Sequence, residues 1–89
     1  MLDLSRDACN FLSGLQAKHY KQVASKVIDL QREPNPADSK HLAGYPGIKR
    51  VDSGEYRICY RVTENIVQIV LIDKRNDAEV YKSMKRKNY

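Results

Sequence analysis

The chain has 89 residues, 42% hydrophobic and 30% charged, with a formal charge of +5 at pH 7. That length makes one domain, residues 1–89, and the cationic excess favours a polyanion or an acidic protein as partner. Two cysteines, Cys9 and Cys59, and two isolated histidines, His19 and His41, form no disulfide framework and no metal or cofactor motif, and no long apolar stretch suggests a leader or membrane span. The expected location is therefore a reducing cytoplasm.

Met1 to Leu4 alternates briefly, as a very short strand would, before Ser5, an N-cap for a helix over roughly Arg6 to Leu15. Ala8, Phe11 and Leu15 recur there at helical spacing, with Cys9 beside them, and Gly14 marks the weak end. A second helix is expected from about Ala17 to Arg32. It gathers Tyr20, Val23, Val27 and Leu30 on one side, with Ala24 and Ile28 nearby and Lys18, Lys21, Gln22 and Lys26 opposite.

Pro34 and Pro36 end that helix and open a turn-rich connection, in which Leu42 and Tyr45 are expected to anchor the loop and His41 to lie at the surface. Ile48 to Val51 reads as a strand carrying Lys49 and Arg50, cations that either serve a site or keep an outer strand soluble. Two β-rich runs follow, Tyr56–Val62 and Ile66–Ile72, split by the polar turn Thr63-Glu64-Asn65. They predict a hairpin at the centre of a small sheet.

In the first run Tyr56, Ile58, Tyr60 and Val62 point one way and Arg57, Cys59 and Arg61 the other. The second is apolar at nearly every position except Gln68, the pattern of a strand covered on both faces. Arg57 then stands in the middle of the second face and Arg75 just beyond the end of the neighbouring strand. Basic groups held rigidly in this way suit phosphate or oxyanion contact, the alternative being an ordinary solvated face. After Asn76 and Asp77, possible caps by residue type, Val80 and Met84 at i and i+4 suggest a helix over roughly Ala78 to Lys85, although Glu79-Val80-Tyr81 also fits a short strand. Lys82, Lys85, Arg86 and Lys87 make a basic end that is either solvated or tracks a phosphate backbone.

The order of these features resembles the RelE/ParE toxin superfamily of type II toxin–antitoxin systems, and more closely its RelE-like mRNA interferase branch. The resemblance rests on Leu42 to Tyr45, the basic strand Ile48 to Val51, Gly-x-Tyr-Arg-x-x-Tyr over Gly54 to Tyr60, the apolar strand Ile66 to Ile72, Asp73-Lys74-Arg75, and Tyr81. It implies an α+β fold, with an N-terminal helical hairpin packed on one face of a small, mainly antiparallel twisted β-sheet and a short C-terminal segment.

For activity, the resemblance implies a ribosome-dependent endoribonuclease that cuts messenger in the A site and inhibits translation, with no metal. Attack by the substrate's 2′-hydroxyl expels the 5′-oxygen and leaves a 2′,3′-cyclic phosphate. Arg57, Arg75 and Tyr81 fall on the catalytic positions: Arg57 as phosphate clamp, Arg75 on the leaving side, and Tyr81 as base with Arg57, Arg75, Arg50 and Lys85 around it. Lys49, Arg50, Arg61, Lys74, Lys82, Lys85 and Arg86 are the candidate RNA contacts. Ile48 departs from the branch's alternating basic pattern, in which Arg50 is the best match. The implied partners are a cognate antitoxin, the ribosome with its RNA and messenger, and, through the antitoxin, a higher-order complex on operator DNA. The superfamily offers two other outcomes, inhibition of DNA gyrase and an inactive member that only binds its antitoxin.

Overall fold

The computed structural model describes residues 2–86; Met1 and residues 87–89, together with the side chain of Asp77, lie outside the described residues. In chain order the elements are β1 (Leu2–Leu4), α1 (Arg6–Ser13), α2 (Ala17–Arg32), β2 (Lys40–His41), β3 (Lys49–Ser53), β4 (Tyr56–Thr63), β5 (Ile66–Lys74) and α3 (Asp77–Arg86). The strands form one sheet in the order β1-β5-β4-β3-β2. Every neighbouring pair is antiparallel except β1 with β5. The architecture is α+β.

Local chemistry sets the joints. Ser5 caps α1 by accepting from the Ala8 amide at 3.1 Å, and its hydroxyl donates to the Val70 carbonyl at 2.9 Å, tying the helix start to β5. The β4–β5 turn holds Glu64 and Asn65 at φ 50° and 66°, the left-handed pair that a two-residue type I′ hairpin requires. At the β3–β4 turn Gly54 has φ 60°, and a Cβ there would lie 2.5 Å from Gln22 Nε2. Glycine therefore serves both the turn and the approach of α2.

The sheet has a core on each face. α1 and α2 cover the first, which gathers Ala8, Leu12, Val23, Val27 and Leu30 with Val51, Tyr56, Ile58, Tyr60, Val67, Ile69 and Ile72. Tyr60 is fully buried and its hydroxyl donates to the Pro34 carbonyl at 2.8 Å. Leu42, Ile48, Cys59, Val70 and Leu71 lie on the second face with Val80 and Met84 of α3, and Tyr45 and Tyr81 pack against them. This double cover accounts for the continuous apolar run of β5. A bulge completes it. Cys59 pairs with Leu71 but Tyr60 with Ile69, so Val70 is the extra residue and both Val70 and Leu71 serve the second core.

The place of Tyr20 on the apolar stripe of α2 is corrected. Tyr20 is 48% and Ile28 50% exposed, because the buried stripe of α2 runs through Val23, Val27 and Leu30 and leaves those two on its shoulder. The segment after Arg75 is a helix rather than a strand, and Asn76 accepts from the Glu79 amide at 3.3 Å at its start.

Candidate nucleic-acid site

Arg57 lies on the second face, in register with Asp52 of β3 on one side and Asp73 of β5 on the other. Only 8% of it is exposed, which sets aside the solvated-face alternative at this position. Its Nε donates to Asp52 Oδ1 at 2.9 Å. The other oxygen of the same carboxylate, Oδ2, stands 3.8 Å from Nε of Arg75, whose amide donates to the Glu55 carbonyl at 2.8 Å. Asp52 thus bridges the two arginines singled out in the sequence. Arg57 is enclosed and Arg75 is largely open to solvent.

The opposite flank is tied to α3. Ser83, itself buried, donates to Asp73 Oδ2 at 3.2 Å, and Arg86 Nη2 donates to the Ser83 hydroxyl at 3.3 Å. Tyr81, two residues before Ser83, is half-buried beside Tyr45, with ring centroids 6.0 Å apart and planes tilted by 31°. α3 therefore carries the tyrosine on the face that holds Arg57. Beside Asp73, Ser83 and Arg86 a cavity of about 560 Å³ reaches Asp7, Asn10 and Phe11 of α1, and beyond Arg75 another of about 530 Å³ opens over Gly54, Glu55, Lys74 and Asn76.

The remaining candidate cations divide. Arg50, half-buried, pairs with Cys59 and so shares the face of Arg57, as does Arg61, whose Nε donates to Gln68 Oε1 at 2.6 Å. Lys49 pairs with Tyr60, which puts it on the helix-covered face, where its ammonium donates to Asn35 Oδ1. Lys74, Lys82, Lys85 and Arg86 are exposed. Ile48, 2% exposed, belongs to the second core, so packing holds the position where the resembled pattern has a base. Burial pushes the Cys59 thiol up to about 12, against the pull of Arg57 and Arg50. That thiol is a packing group. Among the described residues no three His, Cys, Asp or Glu side chains converge as metal ligands.

Asp52, Asp73 and Ser83 are the site members that the sequence reading missed. Asp52 had a signal. A two-residue turn at Gly54-Glu55 sets Ser53 against Tyr56, and one step back sets Asp52 against Arg57. Asp73 had none, since without the bulge at Cys59/Tyr60 the residue opposite Arg57 would be Ile72.

No protein-family model and no curated protein matches the chain. Solved structures do match in fold. The isolated RelE toxin of E. coli superposes with a TM-score of 0.72 at 20% identity, covering 100% of this chain and 98% of that one. The toxin–antitoxin complex RelBE2 of Mycobacterium tuberculosis matches at TM-score 0.73 and 26% identity, over 84% of this chain and 96% of that one. The chromosomal ParDE system of P. aeruginosa matches at TM-score 0.69 and 20% identity, over 84% and 95%.

Proposed function

The chain has the fold of the RelE/ParE superfamily, and on that premise we propose that it is the toxin of a type II toxin–antitoxin pair, a ribosome-dependent endoribonuclease acting on messenger in the cytoplasm. One observation carries the reading: Arg57 on β4 and Arg75, just past the end of β5, share one carboxylate, and α3 brings Tyr81 to the same face of the sheet. Two guanidiniums spaced to share one anion are suited to a phosphodiester, whose paired oxygens accept from the fork as a carboxylate does.

In this reading the 2′-hydroxyl of the substrate attacks the adjacent phosphorus, Tyr81 takes the hydroxyl proton, the P–O5′ bond breaks, and the departing 5′-oxygen takes a proton from water. A 2′,3′-cyclic phosphate remains. Arg57 holds the phosphoryl oxygens as charge builds on them, and Arg75 stabilises the leaving side. The ribosome aligns the messenger for attack, which supplies the orientation a small open site lacks. Arg50 and Arg61 extend the cationic track on the same face, Lys74, Lys82, Lys85 and Arg86 meet ribosomal RNA, and Lys49, on the helix-covered face, lies apart from that track. An antitoxin with an acidic segment would cover this face by charge complementarity, and the assembled pair would reach operator DNA through that antitoxin.

The match to a ParDE system favours one second reading, inhibition of DNA gyrase, in which Tyr81 only packs. Programmed ribosomes with a defined messenger separate the two. A-site cuts with cyclic-phosphate ends are expected, reduced at least ~100-fold by Arg57→Ala and by Tyr81→Phe. Intact messenger together with gyrase-dependent DNA breakage would establish the second reading instead.

A further inference from the structure

The anion position between the two arginines is already filled from within the chain. Asp52 is one-third exposed where Arg57 is enclosed, and turns its two oxygens to two different guanidiniums. Asp73 stands opposite Arg57 on the other strand and is held by Ser83, so Arg57 keeps an anionic neighbour whatever Asp52 does. A phosphodiester arriving at Arg57 and Arg75 would meet the Asp52 carboxylate at the same donors, as a like charge at contact distance.

We propose that Asp52 is an exchangeable internal counterion, displaced when an RNA phosphodiester binds Arg57 and Arg75, and that it thereby sets the affinity of the site for RNA. This rests on the phosphate-binding reading of the same site. Its consequence runs opposite to that of an ordinary structural ion pair. Removing the carboxylate charge strengthens ligand binding, because the ligand no longer competes with an anion tethered to the sheet. Asparagine keeps an oxygen for the Arg57 Nε hydrogen bond, so the strand pairing has no reason to change.

The test is fluorescence anisotropy with a 2′-O-methyl hexaribonucleotide, which binds but lacks the attacking hydroxyl. Asp52→Asn is expected to tighten binding roughly fivefold at low salt, the factor expected from relieving one unit of charge repulsion about 4 Å away in water-like surroundings. Its plot of log affinity against log salt should steepen by about 0.7, as for one more neutralised phosphate on a single strand. Asp38→Asn alters net charge equally and frees Lys26, its partner at 2.9 Å, away from the site. It should change affinity less than twofold. In an Arg57→Gln background the gain from Asp52→Asn should vanish. If circular dichroism shows Asp52→Asn unfolded, Asp52→Ser takes its place.

Affinity within twofold of wild type for Asp52→Asn overturns the exchange, and so do an equal gain from Asp38→Asn, a gain that survives Arg57→Gln, or no binding by any variant. The ribosome assay reports separately on cleavage. Messenger cutting without an Asp52→Asn gain defeats the exchange alone, whereas the gain without cutting defeats the nuclease and leaves the exchange standing.

Discussion

A guanidinium only 8% exposed in a sheet is tolerable because its charge is answered on the spot, by Asp52 at 2.9 Å and by Asp73 in register on the opposite strand. Stability and the proposed phosphate recognition therefore ask different things of Arg57. Stability needs a cation between two carboxylates, while recognition needs a planar fork that offers two oxygens parallel donors. Arg57→Lys should keep stability within about 1 kcal/mol of wild type in urea unfolding, since the charge is retained, yet lower messenger cleavage by tenfold or more. Arg57→Ala should cost about 3 kcal/mol, because it leaves two carboxylates facing each other across the strand. Equal stability losses for the two variants would show that packing of the stem, rather than charge, holds the position. At this scale the sequence was informative about Arg57 and uninformative about its partners. Alternation along β4 places a side chain on a face from local spacing alone, whereas the identity of its cross-strand neighbours depends on turns and on a bulge that no local pattern announces.

Elements obey the same division. α1, α2 and the β4–β5 hairpin were legible because each carries its own period and its own punctuation: Ser5 before α1, Pro34 after α2, and Glu64-Asn65 between the strands. α3 was ambiguous between helix and strand. Its apolar content is only Val80 and Met84 facing the sheet with Tyr81 beside them, so the helix is decided by tertiary packing over β5 and by the Asn76 cap. Tyr20 misled for the converse reason, since an apolar residue at helical spacing need not be covered when the buried stripe runs to one side of it, through Val23, Val27 and Leu30. The turn that brings Asp52 to Arg57 gives this scale its own test. Gly54 has φ 60° under the side chain of Gln22, so Gly54→Ala meets both left-handed backbone strain and a crowded approach. A loss of about 1–2 kcal/mol is expected from the backbone alone. Gly54→Ala combined with Gln22→Ala should recover only the crowding share, and complete recovery in chemical denaturation would mean that the turn does not need the left-handed conformation.

For the whole molecule, the sheet divides the hydrophobic core into two unequal parts. The helical-hairpin side draws buried residues from two helices and three strands, while the other side is closed by α3 and the Leu42–Ile48 loop. Free energies of local opening follow such differences in cover, so α3 is expected to detach from the sheet before the molecule unfolds. Cys59 reports on this directly. It is fully buried in the core that α3 closes, whereas Cys9 is exposed. Burial pushes the Cys59 thiol up to about 12 from its ordinary 9.0, so almost none of it is a reactive thiolate while α3 is seated. The sign of the pH effect follows. A folded-state value above the unfolded one contributes stability that is fully present below about pH 9 and is lost as pH rises toward 12, at up to about 1.4 kcal/mol per unit from this thiol. At pH 8, thiol labelling of the native chain should therefore modify Cys9 quickly and Cys59 only through opening. If α3 opens alone, the opening free energy from Cys59 labelling lies below the global value from urea unfolding and barely depends on urea, because little surface is exposed. Met84→Ala should accelerate Cys59 labelling by at least tenfold, since truncating a buried methionine costs about 2 kcal/mol or more and that loss falls on the α3 contact. Labelling of Cys59 with the full urea dependence of global unfolding would instead make the two cores one cooperative unit, and any partner that needs α3 displaced would then have to unfold the whole domain to reach its sheet.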